Sequence, residues 1–156
     1  MSIHTAPTTL LDELDRAGVA YELIPHARTE SAAAEAAALG VDPREVAKTL
    51  VLTTPDGFVL AVLPASERLD LAKVREFLGT KRVELAGEEL LAGAYPEYEL
   101  GAVPPFVYGD RVLVDVRLCA HLGVLFEAGT HEASLRLSTR DLIALSNALL
   151  ADICTE

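Results

Sequence analysis

The chain has 156 residues, and 13 Lys and Arg against 24 Asp and Glu leave a formal net charge of −11. With 51% hydrophobic residues it is not a disordered chain, which would combine low hydrophobicity with high charge. No apolar run approaches the roughly 20 residues of a membrane span, and the acidity argues against an extensive nucleic-acid surface, which is normally basic. The length predicts one domain over 1–156. Met1 to Pro7 lacks a basic and apolar leader, so a cytoplasmic location without membrane contact is expected. Cys119 and Cys154 make neither a disulfide framework nor a paired metal motif.

Leu10, Leu11, Leu14 and Ala17 share one helical face and Gly18 follows as a stop, which predicts a first amphipathic helix. Val19 to Ile24 alternates as a strand does, and Pro25 ends it before a loop holding His26. The Ala-rich stretch from Glu30 to Leu39 predicts a helix with Thr29 as its cap and Gly40 as its stop. Asp42-Pro43-Arg44-Glu45 then has the cap, the N-terminal proline and the acid of a short helix start. Lys48 to Thr54 and Phe58 to Leu63 read as hairpin strands about a Pro55-Asp56-Gly57 turn, and their apolar continuity predicts burial on both faces. Asp70 caps a helix carrying Leu71, Val74, Phe77 and Leu78, with Gly79 closing it. A short strand over Arg82 to Leu85 and a short helix over Gly87 to Ala94 precede Gly101-Ala-Val-Pro-Pro105, which two prolines keep out of regular ladders. Arg111 to Val116, Val124 to Glu127 and Ser134 to Leu137 read as strands, and Thr139 to Leu150 as a last helix behind Ser138. The order predicts an α+β fold built on a mixed sheet with helices around it.

Few residues in this frame can carry chemistry. Lys48 opens an apolar strand, where it is either a snorkelling surface lysine or a cation held at a pocket mouth. Gly101 to Pro105 can fix main-chain groups toward a cleft, or simply be a stiff connection. His26 and His131 lie in loops, where a rigid scaffold presents binding groups. Cys119 and His121 would share a strand face, but no second ligand pair accompanies them, so no metal is expected. No nucleophile elbow and no P-loop is present. An enzyme with this sequence would use positioned water and oxyanion stabilisation.

The combination resembles the YbaK/prolyl-tRNA-synthetase-associated editing domain family over nearly the whole chain. The resemblance rests on His26 with Thr29 and the Ala-rich helix ending Leu39-Gly40; on Val46-Ala-Lys48-Thr-Leu-Val-Leu and Leu60-Ala-Val-Leu-Pro64; on Gly101-Ala-Val-Pro-Pro105-Phe106; and on Gly129-Thr-His131 with Leu135-Arg-Leu. It implies a single, partly barrel-like mixed sheet of about seven strands wrapped by helices. It also implies a free-standing trans-editing hydrolase that deacylates mischarged tRNA, Ala- or Cys-tRNA(Pro), by water attack and without a cofactor. The implied partners are the tRNA acceptor end and a synthetase such as prolyl-tRNA synthetase. By the same resemblance Lys48 contacts the terminal adenosine or its phosphate and the Gly101 loop holds the aminoacyl group, these two being the catalytic candidates. His26, Thr49, Ala102, Pro104, Pro105, Gly129 and His131 are then the substrate-binding candidates. The alternative is a non-catalytic module of this fold that recognises an amino acid, an aminoacyl ester or a synthetase. Arg68, Lys73, Arg75, Lys81 and Arg82 against Asp70 and Glu76 leave a local charge of +3, the expected place for any further tRNA contact.

Overall fold

A computed structural model describes residues 8–106 and 110–156; the leader reading over Met1 to Pro7 lies outside them. The strands divide between two sheets. The first is antiparallel and three-stranded, with β1 (Glu22–Pro25), β7 (Ala133–Ser138) and β6 (Gly123–Glu127) in that spatial order. The second is five-stranded and mixed, in the order β4 (Glu84–Leu85), β2 (Ala47–Thr54), β3 (Gly57–Pro64), β5 (Arg111–Asp115) and β8 (Leu149–Ala151). The mixed α/β class is as expected. The single sheet is corrected to two, and neither is closed into a barrel. One isolated parallel bridge, Val46 to Leu125, links them.

The hairpin shows how local chemistry sets this frame. Pro55 and Asp56 form its two-residue loop, with Thr54 paired to Gly57 across it. Gly57, which the sequence reading places in the turn, is the first residue of β3 at φ 115, a conformation only glycine adopts freely. β3 is the central strand and is buried from Val59 to Pro64. β2 is buried less evenly, because β4 covers its far edge only at Leu52 and Thr53.

The main core fills the space between the sheets. It joins Val51, Leu60, Val62, Val112 and Val114 to Phe126, Leu135 and Leu137, with Leu10 and Leu14 of α1 (Thr8–Arg16) and Leu142 of α5 (Thr139–Ser146) closing it. The outer face of the larger sheet carries Leu52, Val59, Ala61 and Leu113 against Val74 of α3 (Leu71–Leu78) and Ile153. The outer side of the smaller sheet is covered by α2 (Ala32–Leu39), where Ala36 packs on Val46 and Leu125. α4 (Glu88–Ala94) precedes the loop that carries Gly101.

The short helix start is as read, a 3-10 turn over Pro43–Glu45 with Asp42 as its cap. Three expectations are corrected. The cap of α2 is Ser31, whose hydroxyl accepts from the Ala34 amide at 3.0 Å, and not Thr29. The last helix stops at Ser146, where Asn147 turns left-handed at φ 51, and residues up to Ala151 form β8. Cys119 lies in a 3-10 turn, Val116–Ala120, so it does not share a strand face with His121.

Candidate active site

The two sheets diverge beyond the Val46–Leu125 bridge and leave a cavity of about 170 Å³ in the seam. Ala32 and Glu35 of α2, Ala47, Lys48, Thr49 and Leu50 of β2, Gly101 and Val103 of the proline loop, and Phe126 and Glu127 of β6 line it. Four consecutive residues of β2 can share one wall only if a strand edge forms that wall, since side chains alternate between faces. The main-chain bonds agree. The Val46 carbonyl accepts from Ala65, beyond the end of β3, while the Val51 carbonyl accepts from Ala86 on the opposite edge. By that alternation the amide and carbonyl of Thr49 point to the edge that β4 leaves uncovered.

The Lys48 side chain shares a face of β2 with Leu50 and Leu52. Its register partner is Leu63, and its ammonium feels Cys154, Arg68 and Glu67. Burial holds that ammonium below its ordinary value, and among the described residues it has neither a hydrogen bond nor an ion pair. Lys48 therefore lines the seam with an ammonium that no hydrogen bond or ion pair ties down, its charge offset only at longer range by Glu67.

The loop from Glu99 to Gly101 is clamped to the loop from Gly129 to His131. The Glu99 amide donates to the Gly129 carbonyl, and the Glu99 carboxylate accepts from Thr130 Oγ1, the His131 amide and Arg28. Burial raises the Glu99 carboxyl, but these donors outweigh it and hold the group at about 2. Gly101 has φ 81, and a Cβ there would stand 3.5 Å from His131 Cε1. The glycine is thus required by its backbone angle and lies directly on the His131 ring. His131 Nε2 donates to the Leu100 carbonyl at 2.6 Å, which fixes the ring.

Two carboxyls that sequence reasoning missed dominate the electrostatics. Glu35 is fully buried, and its carboxyl contacts the Ser134 hydroxyl. Ser134 in turn lies 2.9 Å from His26 Nε2, while His26 Nδ1 donates to the Ala27 carbonyl. Burial pushes Glu35 up to about 7, against the opposing Ser134 bond. Glu127, 7% exposed, is pushed up to about 9 by burial and then by the repulsion of Glu35, Glu99 and Glu30. Its Oε2 is 2.7 Å from His131 Nδ1 but out of line for a hydrogen bond, so both atoms lack a partner. At neutral pH the Glu127 carboxyl holds its proton beside the ring.

The structure therefore brings Lys48, Thr49 and Gly101 to the cavity wall and packs His131 and Gly129 behind it. His26 joins through Ser134 to Glu35. Ala102, Pro104 and Pro105 are buried and support the loop without lining the cavity. A larger groove of about 780 Å³, lined by Glu13, Arg16, Asp110, Arg111 and Asn147 among others, contains none of these residues. Among the described residues no cluster of three or more His, Cys, Asp or Glu could hold a metal, and no helix is long and apolar enough to cross a membrane.

Known proteins are similar to this chain in sequence or in fold. A proline–tRNA ligase of Thermosipho africanus is 37% identical over 103 residues, 65% of this chain and 17% of the ligase. A cobalt-precorrin-4 C(11)-methyltransferase of Methanocaldococcus jannaschii is 33% identical over 101 residues, 62% of this chain and 38% of that protein. The chain thus spans well under half the length of either. EbsC of Enterococcus faecalis, named as a candidate Cys-tRNA(Pro)/Cys-tRNA(Cys) deacylase, is 28% identical over 131 residues, 81% of this chain and 78% of EbsC. A solved structure described as a candidate trans-editing enzyme for prolyl tRNA synthetase superposes with a TM-score of 0.85 at 24% identity, over 97% of this chain and 100% of that one. The profile of the aminoacyl-tRNA editing domain matches residues 26–145, from the His26 loop through α5 and so across every wall of the seam cavity; the chain belongs to that family.

Proposed function

We propose that this protein hydrolyses the ester between a small amino acid and tRNA, with Ala- or Cys-tRNA(Pro) as substrate, acting in trans on the acceptor end. The observation that carries this reading is the seam cavity, a pocket of about 170 Å³ walled by a strand edge and a clamped glycine loop. Ligand sites for drug-sized molecules run to roughly 300–1,000 Å³, so this one suits a short aminoacyl group against Ala32, Ala47, Val103 and Phe126. A synthetase gains only about 1 to 3 kcal/mol from one methylene, which is why a second, smaller sieve is needed.

In this reading the ester carbonyl lies along the free edge of β2, and the Thr49 amide donates to the oxyanion that forms as water attacks. The cavity wall holds no Ser, Cys or His nucleophile, which favours direct attack by water. Lys48, at the rim, is a compact charge for the terminal phosphate or ribose. The choice of tRNA(Pro) is supported by the proline–tRNA ligase and the candidate trans-editing enzyme among the similar proteins, and EbsC is named for both tRNA(Pro) and tRNA(Cys). The test is a deacylation panel over all aminoacyl-tRNAs with wild type and Lys48→Ala. We expect cleavage confined to alanyl- or cysteinyl-tRNA(Pro) and a loss of about ten- to a hundredfold in the variant, the scale of one hydrogen bond to a charged group. Cleavage of no ester would point to a binding module; full activity of Lys48→Ala would remove the role assigned to that residue.

A further inference from the structure

Two buried oxygens in the cavity wall make no hydrogen bond. Glu35 is fully buried, and while one carboxyl oxygen meets Ser134, Oε1 bonds to nothing. Glu127 is 7% exposed, and its Oε2 lies 2.7 Å from His131 Nδ1 without making a hydrogen bond. Both residues line the cavity. Buried polar groups are normally satisfied, so these atoms are acceptors held ready in a space large enough for a ligand. Of the remaining side chains of the wall, Ala32, Ala47, Leu50, Val103 and Phe126 are apolar, the Lys48 ammonium lies toward Arg68 and Glu67, and Thr49 brings a single hydroxyl.

Two neighbouring carboxyls, one with an orphaned oxygen, call for a compact group rich in hydrogens and positive charge, whose arrival favours their ionised forms and releases the protons they hold in the empty cavity. We propose that Glu35 and Glu127 receive the α-ammonium group of the aminoacyl ester, so that the site selects esters with a free amino group. The proposal rests on the deacylase reading for the identity of its ligand. The α-ammonium is one bond from the carbon that bears the ester carbonyl, so anchoring it at Glu35 and Glu127 sets the carbonyl against the edge of β2. An N-acylated ester would leave both carboxyls unpaired and add bulk to a cavity of about 170 Å³. Ser134, held between Glu35 and His26, keeps the Glu35 carboxyl oriented toward the space.

The experiment is calorimetric binding of 3′-deoxy-3′-(alanylamino)adenosine, a non-ester analogue of the aminoacyl end, and of its N-acetyl derivative to the full chain. Wild type should bind the free amine at least about tenfold more tightly, the scale of a hydrogen bond to a charged group. Glu35→Gln should bring that ratio close to one while still melting cooperatively, and Glu127→Gln provides the same test if the first variant does not fold. Equal binding of the two forms, binding of neither, or an unchanged ratio in both variants would overturn the proposal. Deacylation of alanyl-tRNA and N-acetylalanyl-tRNA separates it from the reading beneath it. Cleavage of both at equal rates would remove the ammonium site and leave the hydrolase, whereas amine-selective binding without cleavage would do the reverse.

Discussion

Glu35 stands in the middle of the most helix-prone stretch of the chain, and nothing in that stretch says which way it faces. A helix written almost wholly in alanine has no polar and apolar side to compare, so burial of its one charged residue is decided by packing against Leu125 and Val46. Glu127 was hidden differently, as the last residue of an apolar strand whose side chains alternate. Lys48 and Gly101 were legible because each breaks a local pattern. The buried carboxyl makes a stability prediction. The folded chain holds the Glu35 proton up to about pH 7, against 4.5 ordinarily. Folding is therefore favoured fully below the lower value, and that contribution is lost as pH rises through the upper one. The loss is roughly 3 kcal/mol. Asp42, Glu99 and Asp152, held near 2, act in the opposite sense and only in more acid solution. Glu127, held up to about 9 against 4.5 ordinarily, adds a decline of its own across the same range and on toward pH 9. Urea unfolding between about pH 5 and 7 should therefore show wild type weakening about twice as steeply as Glu35→Gln, in which one such carboxyl remains. Equal slopes would mean that Glu35 does not titrate in that range.

At the scale of elements the caps and stops were readable where a side chain has only one job. Asp70 bonds the amides of Ala72 and Lys73 as its position ahead of Leu71 predicts, and Gly79 is left-handed at φ 72. The sequence reading places the cap of α2 two residues early, at Thr29 instead of Ser31. Thr29 does not cap because its amide is drawn to the His131 carbonyl, which fixes the loop two residues before the helix begins and buries its side chain. The end of α5 was misread for a related reason. Leu149 and Leu150 continue a helical pattern, but Asn147 accepts the left-handed conformation and the chain pairs with β5. These positions give opposite expectations for conservative changes. Ser31→Ala removes the cap of α2 and should cost about 1 kcal/mol. Thr29→Val replaces a buried, unbonded Oγ1 with a methyl group and should be neutral or stabilising. Thermal and urea unfolding of the two single variants decides the matter, and a cost from Thr29→Val equal to that of Ser31→Ala would mean that Thr29 caps the helix after all.

For the whole molecule, charge limits how a strongly acidic protein can hold tRNA. The stretch from Arg68 to Arg82 carries a local +3 in sequence, but the fold spends part of it. Lys73 donates to Asp152, the Cys154 carbonyl and Glu156, and Arg75 to the Val83 carbonyl. Arg68, Lys81 and Arg82 keep side chains without an ion pair among the described residues, and Arg68 is the one whose charge Lys48 feels. A single-stranded acceptor end crossing from the seam to this patch would therefore neutralise few phosphates. With about 0.7 counterions released per phosphate on a single strand, four cations give a slope of log affinity against log salt no steeper than about −3. Removing Arg68 should flatten that slope by somewhat under one, whereas removing Lys73 should leave it unchanged and lower stability instead, since its ammonium ties α3 to the C-terminal segment. Titration of tRNA(Pro) at several salt concentrations with wild type, Arg68→Ala and Lys73→Ala measures all three. A slope steeper than about −5 would require a basic surface that this fold does not offer, and contact along the body of the tRNA would then replace contact at its end.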